Sequence, residues 1–239
     1  MSEQHNLVIV AMIPARLGSQ RIPKKNLRLL GGKLLTQWVA DSCKEAGVFD
    51  SIYINSEGDI FESVAKESGV CFYKRPEHLA SSSATNDEFA LDFIKNIKCD
   101  ILVQVNPTSP FTRAEDIKCL VKMLIDGHYK TVHTVKEEQI EGLFNNIPLN
   151  FDPAKPMPPS QELVPVRLFT SSIMAWDVNT FVRNMESHGC AVYGGEGKIG
   201  YYVIEGDGII DIDNEKDFFL AEAILNMKNM SVEKKYYEV

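Results

Sequence analysis

The sequence predicts an α/β fold with a largely parallel central sheet. Three observations carry that reading. Short apolar strand-like runs alternate with amphipathic helical patterns through the first 135 or so residues, and that alternation is the signature of strand–helix–strand units. The first run, "LVIVAMI" (Leu7–Ile13), is continuously apolar, as suits a strand covered on both faces. The chain has 239 residues and is 44% hydrophobic, enough for one sizeable core with a small appended lobe.

After the first strand, Lys33 to Ala46 carries Leu34, Leu35, Trp38, Val39 and Cys43 on one side and reads as a helix. "SIYIN" is a strand, Asp59 to Ser68 a helix, and "VCFYK" a strand. Asn86 to Ile97 is a helix, "DILVQVN" a strand, Ala114 to Ile125 a helix and "KTVHTV" a strand. Residues 137–168 then turn polar and proline-rich, which suits an excursion and not sheet core. Patterning returns with the strand "LFTSSIMAW", a helix near Val178 to Ser187, the strand "GYYVIEG", and a helix from about Glu215 to Met227. No internal repeat is visible. One unit over 1–239 with the excursion at about 137–168 is expected, and the tail "SVEKKYYEV" is expected to be loosely ordered.

Composition narrows the function. A formal charge of −8 argues against general nucleic-acid binding. No apolar run approaches the roughly 18 residues of a membrane span, and "MSEQHN" lacks the charged start and apolar stretch of a secretion signal. A soluble cytoplasmic protein without nucleic-acid or membrane partners is expected. The five cysteines, Cys43, Cys71, Cys99, Cys119 and Cys190, are odd in number and never closely spaced, so they read as reduced thiols, neither disulfides nor zinc ligands. The five histidines show no metal-ligand spacing.

Against that acidic background, "IPARLGSQRIPKKN" (Ile13–Asn26) concentrates Arg16, Arg21, Lys24 and Lys25 directly after the first strand, with Arg28 just beyond. Open parallel sheets bind ligands beyond the carboxyl ends of their strands. Backbone N–H groups in a tight turn there form a concavity for anions, to which Arg and Lys add charge. The loop matches neither GxxxxGK[ST] nor GxGxxG. A polyphosphate site and a plain solvated basic turn are both open on these residues alone.

The loop resembles the signature of the acylneuraminate cytidylyltransferase (CMP-sialic acid synthetase) family. Three further stretches match that family in order: "RPEHLASSSATN" (Arg75–Asn86), "VQVNPTSPFTRAEDI", and "DIDNEKDFFLAE" (Asp211–Glu222). The resemblance implies a Rossmann-like nucleotidyltransferase fold, with a homodimer formed through an excursion from the sheet. It implies CTP and an acidic 2-keto sugar as substrates and Mg²⁺ (or Mn²⁺) as cofactor. The sugar's anomeric hydroxyl would attack the α-phosphate, releasing pyrophosphate and forming a CMP-sugar.

By position in the signature, Arg16 and Lys25 would be the triphosphate clamps, where fixed cations stabilise developing charge. Arg21 and Lys24 would be auxiliary or simply solvated. Ala15, Gly18 and Ser19 would bring backbone close to phosphate, and Asn26 would lie near the nucleotide. Arg75, Ala80, Ser81 and Asn86 would contact it, with Arg75 and backbone groups matched to the cytosine edge. The plainer use of "SSSATND" is a serine-rich loop capping the next helix. Asn106, Thr108 and Ser109 would face the sugar from a turn fixed by two prolines. Asp211 and Asp213, two apart on an extended segment, share one side and would hold the metal with phosphate oxygens. The alternative there is a helix start, with Asn214 as cap and Asp217 three residues on.

Departures from the family fall on both sides of the site: in the nucleotide-contacting stretch Ser82 stands where aspartate is usual and Asn86 where serine is common, and others fall on the sugar side. Asn106 stands where glutamine is usual, Ser171 and Ser172 replace an Asn-Gly pair, Trp176 stands near an aromatic position, and Phe169 replaces an arginine. Arg167 is the candidate for the sugar carboxylate, since a carboxylate favours a bidentate guanidinium. Alternatives are the related CMP-Kdo synthetase and a non-catalytic nucleotide sensor of the same fold. Retention of both acidic residues speaks against the sensor.

Overall fold

The computed structural model describes residues 7–228. The "MSEQHN" start and the "SVEKKYYEV" tail lie outside the described residues. In chain order the strands are β1 (Ile9–Pro14), β2 (Leu29–Leu30), β3 (Lys33–Leu34), β4 (Ser51–Ser56), β5 (Cys71–Lys74), β6 (Ile101–Val105), β7 (Thr131–Glu138), β8 (Leu143–Phe144), β9 (Ile147–Pro148), β10 (Val166–Asp177) and β11 (Ile199–Val203). The α-helices are α1 (Leu35–Ala46), α2 (Ile60–Ser68), α3 (Asn86–Asn96), α4 (Ala114–Asp126), α5 (Val178–His188) and α6 (Glu215–Lys228). Each element read from the sequence is present, with its ends within three residues of the reading.

Seven strands form one sheet in the order β11-β7-β10-β6-β1-β4-β5. The pairs β1/β4, β1/β6, β4/β5 and β7/β11 are parallel, and β10 runs antiparallel to both β6 and β7. Six strands therefore point the same way, and the start of β10 lies at their carboxyl end. The α/β expectation holds.

Alternation along the strands divides the core. Ala11, Ile13, Val103 and Val105 pack with Val39 and Ala40 of α1, Phe61 of α2 and Ile117 and Leu120 of α4. Val10, Met12, Leu102, Met174 and Trp176 pack on the other face with Ala90 and Phe93 of α3 and Phe181 of α5. A third cluster joins Ile22, Leu30 and Leu35 to Phe111, Ile212, Phe218 and Ala221. It fastens the opening loop to α6. Trp176, placed near the sugar by resemblance, is fully buried and donates its indole N–H to the Val192 carbonyl at 2.9 Å. That placement is corrected to core, because the strand's alternation turns this side chain into the sheet–helix interface.

The excursion begins as a continuation of the sheet, with Glu137 and Glu138 of β7 opposite Arg167 and Val166 of β10. It then carries the separate hairpin β8–β9. Asn145 and Asn146 at its tip both have positive φ (48° and 64°), as a two-residue type I′ turn requires. The sequence reading missed this hairpin, although Asn-Asn between "LF" and "IP" is a signal for it.

Where β10 leaves the excursion its register slips between Phe169 and Met174. Ser171, inside this bulge, sits at φ 55°. A side chain in that region costs roughly 1–2 kcal/mol. Ser171→Gly keeps the backbone path and removes the strain, so Tm is expected to rise by about 2–4 °C, measured by calorimetry. A fall in Tm would show that the serine side chain stabilises the bulge.

Candidate active site

The carboxyl ends of β1 and β6, the start of α3 and the segment before α6 enclose a cleft of about 390 Å³. Arg16, Ser19, Lys25, Asn26, Arg75, Asn86, Asn106, Thr108 and Asp213 all line it. Four stretches far apart in sequence thus meet at one place. Ala15, Gly18, Ala80, Ser81, Ser109, Asp211 and Arg167 are not among the lining residues.

The opening loop turns its cations in different directions. Lys25 is buried, in a 3-10 turn spanning Lys25–Leu27. Its ammonium donates to the Ile212 carbonyl and stands 3.6 Å from Asp213. Burial pulls its pKa down, and the charges of Asp213 and Asp211 oppose that shift. Arg21 is exposed, lines the cleft and pairs with Asp213 at 3.0 Å. Arg16 donates to the Ser81 carbonyl at 3.1 Å, bridging the mouth between the loop and the serine run. Lys24 is exposed and outside the cleft. Arg28 pairs with Glu215 and stacks on Phe218, 3.7 Å from the ring centre, so it belongs to the α6 contact.

Ala15 is buried and donates its N–H to the Asn55 carbonyl, extending the β1/β4 pairing. A Cβ built on Gly18 would meet nothing within 4 Å, and its φ is not positive. The free protein does not itself require glycine there. A ligand lying against the backbone would.

Arg75 is 3% exposed. Its Nε donates to Asn55 Oδ1 at 2.7 Å and a terminal nitrogen to the Asn55 carbonyl at 2.6 Å, with Phe89 stacked 4.7 Å away. Burial lowers its pKa to about 10, which leaves it charged at neutral pH. It braces the end of β4 while forming part of the cleft wall. The serine run does precede a helix, but Thr85 is the cap, in a reciprocal box with Glu88.

The acidic segment forms the helix start that one reading of it expected. Ile212 donates to the Thr108 carbonyl and is fully buried, which leaves Asp211 and Asp213 together on the opposite side. Asn214 accepts the N–H groups of Lys216 and Asp217, and Asp217 accepts those of Asp213 and Asn214. This is a capping box for α6. Asp211 lies behind Thr108, whose hydroxyl bonds it. Burial raises its pKa, the Thr108 contact lowers it, and Asp213 adds to the rise. Its Oδ1 is buried and unpaired among the described residues. An oxygen acceptor of that kind beside a second carboxylate fits a hard divalent cation that takes its remaining ligands from phosphate. Among the described residues no cluster of three or more His, Cys, Asp or Glu side chains is set to hold a metal.

The other predicted residues are placed as follows. Ser109 is buried behind the turn, where its carbonyl accepts from Thr112. Arg167 is exposed on the excursion and paired with Glu137 at 2.9 Å, away from the cleft of its own chain. His133 is buried in the core, stacked on Tyr193 and touching Phe169, and burial pushes its pKa down to about 4. Sequence reasoning missed Pro14, Gln20, Phe89 and Gln104, which also line the cleft. A buried glutamine within the apolar run "ILVQV" was the visible signal for the last of these.

The comparisons agree with this geometry. A sequence model of the family described as Cytidylyltransferase matches residues 10–153. The chain is 26% identical over 223 residues to an N-acylneuraminate cytidylyltransferase of Oncorhynchus mykiss, covering 90% of this chain and 49% of that protein. It is 27% identical over 240 residues to one of Escherichia coli O18:K1:H7, covering 92% and 53%. It is 25% identical over 139 residues to a 3-deoxy-manno-octulosonate cytidylyltransferase of Bdellovibrio bacteriovorus, covering 58% and 55%. The chain spans about half the length of the curated relatives it matches. Among solved structures, a CMP:2-keto-3-deoxy-manno-octonic acid synthetase complexed with CTP superposes with a TM-score of 0.68 at 14% identity, covering 92% of this chain and 99% of that one. The fold is therefore that of the cytidylyltransferases.

Asp211 tests the site through its ionisation. Its folded pKa is raised, so above the unfolded value of about 3.9 its ionisation costs stability, and below that value the cost vanishes. Asp211→Asn is expected to be at least as stable as the parent at pH 7, with the difference shrinking as pH falls toward 4. Denaturant titrations across that range check this. Loss of stability at pH 7 would mean that the charge is structurally required.

Proposed function

The chain belongs to the cytidylyltransferase family, and from that premise we propose that it activates an acidic 2-keto sugar, a nonulosonic acid, with CTP. The anomeric hydroxyl attacks the α-phosphate, and pyrophosphate leaves as CMP-sugar forms. The observation that carries the reading is the meeting of Arg16, Arg21 and Lys25 with Asp213 in one cleft at the carboxyl ends of β1 and β6. Cations gathered in one cleft of an acidic protein suit a strongly anionic ligand, as CTP, keto acid and pyrophosphate all are.

In this reading Arg16 and Lys25 bind the triphosphate and stabilise charge on the departing pyrophosphate. Ser19 and the backbone at Gly18 lie against phosphate oxygens. Arg75, Asn26 and Asn86 hold the nucleoside end, and Phe89 offers a ring beside it. Asp211 and Asp213 would hold Mg²⁺ (or Mn²⁺), which when bound neutralises the α-phosphate and lowers the pKa of the attacking hydroxyl. Asp213, which pairs with Arg21 and Lys25 in the free protein, would share its carboxylate with that cation. Five free thiols, of which Cys71 and Cys190 are exposed, suit a reducing cytoplasm. Among the described residues no helix is long and apolar enough to cross a membrane.

Activation of the eight-carbon acid Kdo is the second reading, favoured by the Bdellovibrio relative's name. Relatives that match about nine-tenths of this chain are named for N-acylneuraminate, so the nine-carbon acids come first.

The excursion supports a homodimer. Ile140, Leu143, Phe144, Ile147, Leu149 and Val164 are each more than half exposed on it, a concentration of apolar surface that a two-fold contact would bury.

CTP is expected to be consumed in preference to ATP, GTP and UTP when an acidic keto sugar and Mg²⁺ are present, and EDTA is expected to abolish turnover. Pyrophosphate release measures both. Equal use of UTP with a hexose phosphate would sink the reading. Light scattering is expected to report a dimer at micromolar concentration, and Phe144→Asp with Ile147→Asp to shift it toward monomer. A parent protein that is already monomeric would remove the dimer.

A further inference from the structure

Gln104 is an uncharged acceptor at the sheet side of the cleft, and its environment explains why it is left unpaired. It lies in β6 at 2% exposure and lines the cleft. Its neighbours across the sheet are Met12 on β1 and Met174 on β10. Neither can donate to an amide oxygen.

A chain of hydrogen bonds decides which way the amide points. The Ser171 carbonyl, re-aimed by the bulge and the positive φ, can only accept. It takes the Asn106 amide nitrogen at 2.6 Å. Asn106 is also held through its backbone, whose N–H donates to the Ser172 carbonyl at 3.0 Å. With its nitrogen committed, Asn106 presents Oδ1 to Gln104, which donates Nε2 at 2.9 Å. Gln104 Oε1 is then the end of the relay, buried and without a donor among the described residues. Leaving such a group unmade costs stability that a donor on a ligand would restore. The terminal amide torsion is soft, so a small rotation presents the oxygen to a ligand.

The relay also separates the two ends of the cleft. Phosphate-binding charge sits on the loop after β1, whereas the relay runs from β6 to β10, on the side away from that loop. We propose that Gln104 is a specificity-determining residue for the sugar acceptor, accepting a hydrogen bond from one of its hydroxyl or acylamino N–H groups. This rests on the reading of function given above. It assigns to Gln104 the reach that Asn106, being short and fully engaged with Ser171, does not have. A site with a fixed buried acceptor discriminates strongly against analogues that lack the donor.

The test uses the full-length chain with CTP, Mg²⁺ and a panel of nonulosonic acids and Kdo, read by pyrophosphate release. Gln104→Leu removes the acceptor while keeping the volume. Gln104→Met, unbranched and of similar length, is the second variant should leucine disturb the strand. Either variant is expected to raise the acceptor KM about 10-fold or more, one hydrogen bond's worth. The KM for CTP is expected to stay within two-fold and Tm not to fall. Monodeoxy acceptors then identify the partner, since the analogue lacking that group loses nothing further in the variant. An unchanged acceptor KM in a folded variant overturns the proposal, and so does a rise confined to CTP, which would place Gln104 at the nucleotide. A parent enzyme that turns over none of the acceptors overturns the reading of function, and this inference with it.

Discussion

A buried ammonium must find acceptors, and Lys25 finds them in the segment just before α6. Its contacts with the Ile212 carbonyl and Asp213 join the first loop of the chain to the last helix. The backbone makes this possible, because Ile212 pairs with Thr108 and drives its side chain into the small core beneath α6. Charge and apolar packing therefore act on opposite sides of one extended residue pair. Loss of either would let the loop and the acidic pair drift apart, and the cleft would cease to exist as a unit. The surrounding sheet supplies rigidity, but this contact decides that the basic and acidic elements face one another.

The cleft is held open with its polar groups incompletely matched. Oδ1 of Asn26, Oδ1 of Asn86, Oε1 of Gln104 and Oδ1 of Asp211 are all buried without a donor among the described residues. Natural proteins leave few buried acceptors unmade, and three of these, on Asn26, Asn86 and Gln104, belong to residues that line the cleft. Each is the complement of something a nucleotide, a sugar or a cation brings: amino groups, hydroxyls or positive charge.

Much of this was legible in the sequence. Strand–helix alternation from Leu7 to Val135 locates the sheet, because buried parallel strands are continuously apolar. The cations of the opening loop stand out against a net acidic chain, and "DID" reveals its shared face through the two-residue period. What the sequence hides is long-range pairing. Nothing local tells that Arg75 is committed to Asn55, that Arg28 belongs to α6, or that Arg167 pairs with Glu137 across the β7/β10 extension. Those assignments depend on register between strands distant in the chain. Trp176 shows the same limit, since its aromatic character fits a sugar site and a core equally, and only the facing of β10 separates them. Gln104 was visible as an anomaly, a polar residue in an apolar strand, but its meaning depends on a carbonyl 67 positions away whose direction is set by a bulge.

That dependence has a consequence for how the site divides. In the proposed reading the nucleotide end consists of the β1 loop, Arg75 and the acidic pair, elements anchored by burial, by ion pairs and by the α6 core. The proposed acceptor end consists of Asn106 and Gln104, whose orientation follows from the path of β10 as it leaves the excursion. Ser171 is the pivot between the two, because its carbonyl fixes Asn106 and its position in the bulge follows from where the β7/β10 extension ends. The excursion, with its exposed apolar hairpin, is therefore mechanically continuous with the acceptor end and separate from the nucleotide end. In this chain Asn106, Phe169, Ser171 and Ser172 depart from the family pattern on the acceptor side and Ser82 and Asn86 in the serine run, while the opening loop and the acidic pair are retained.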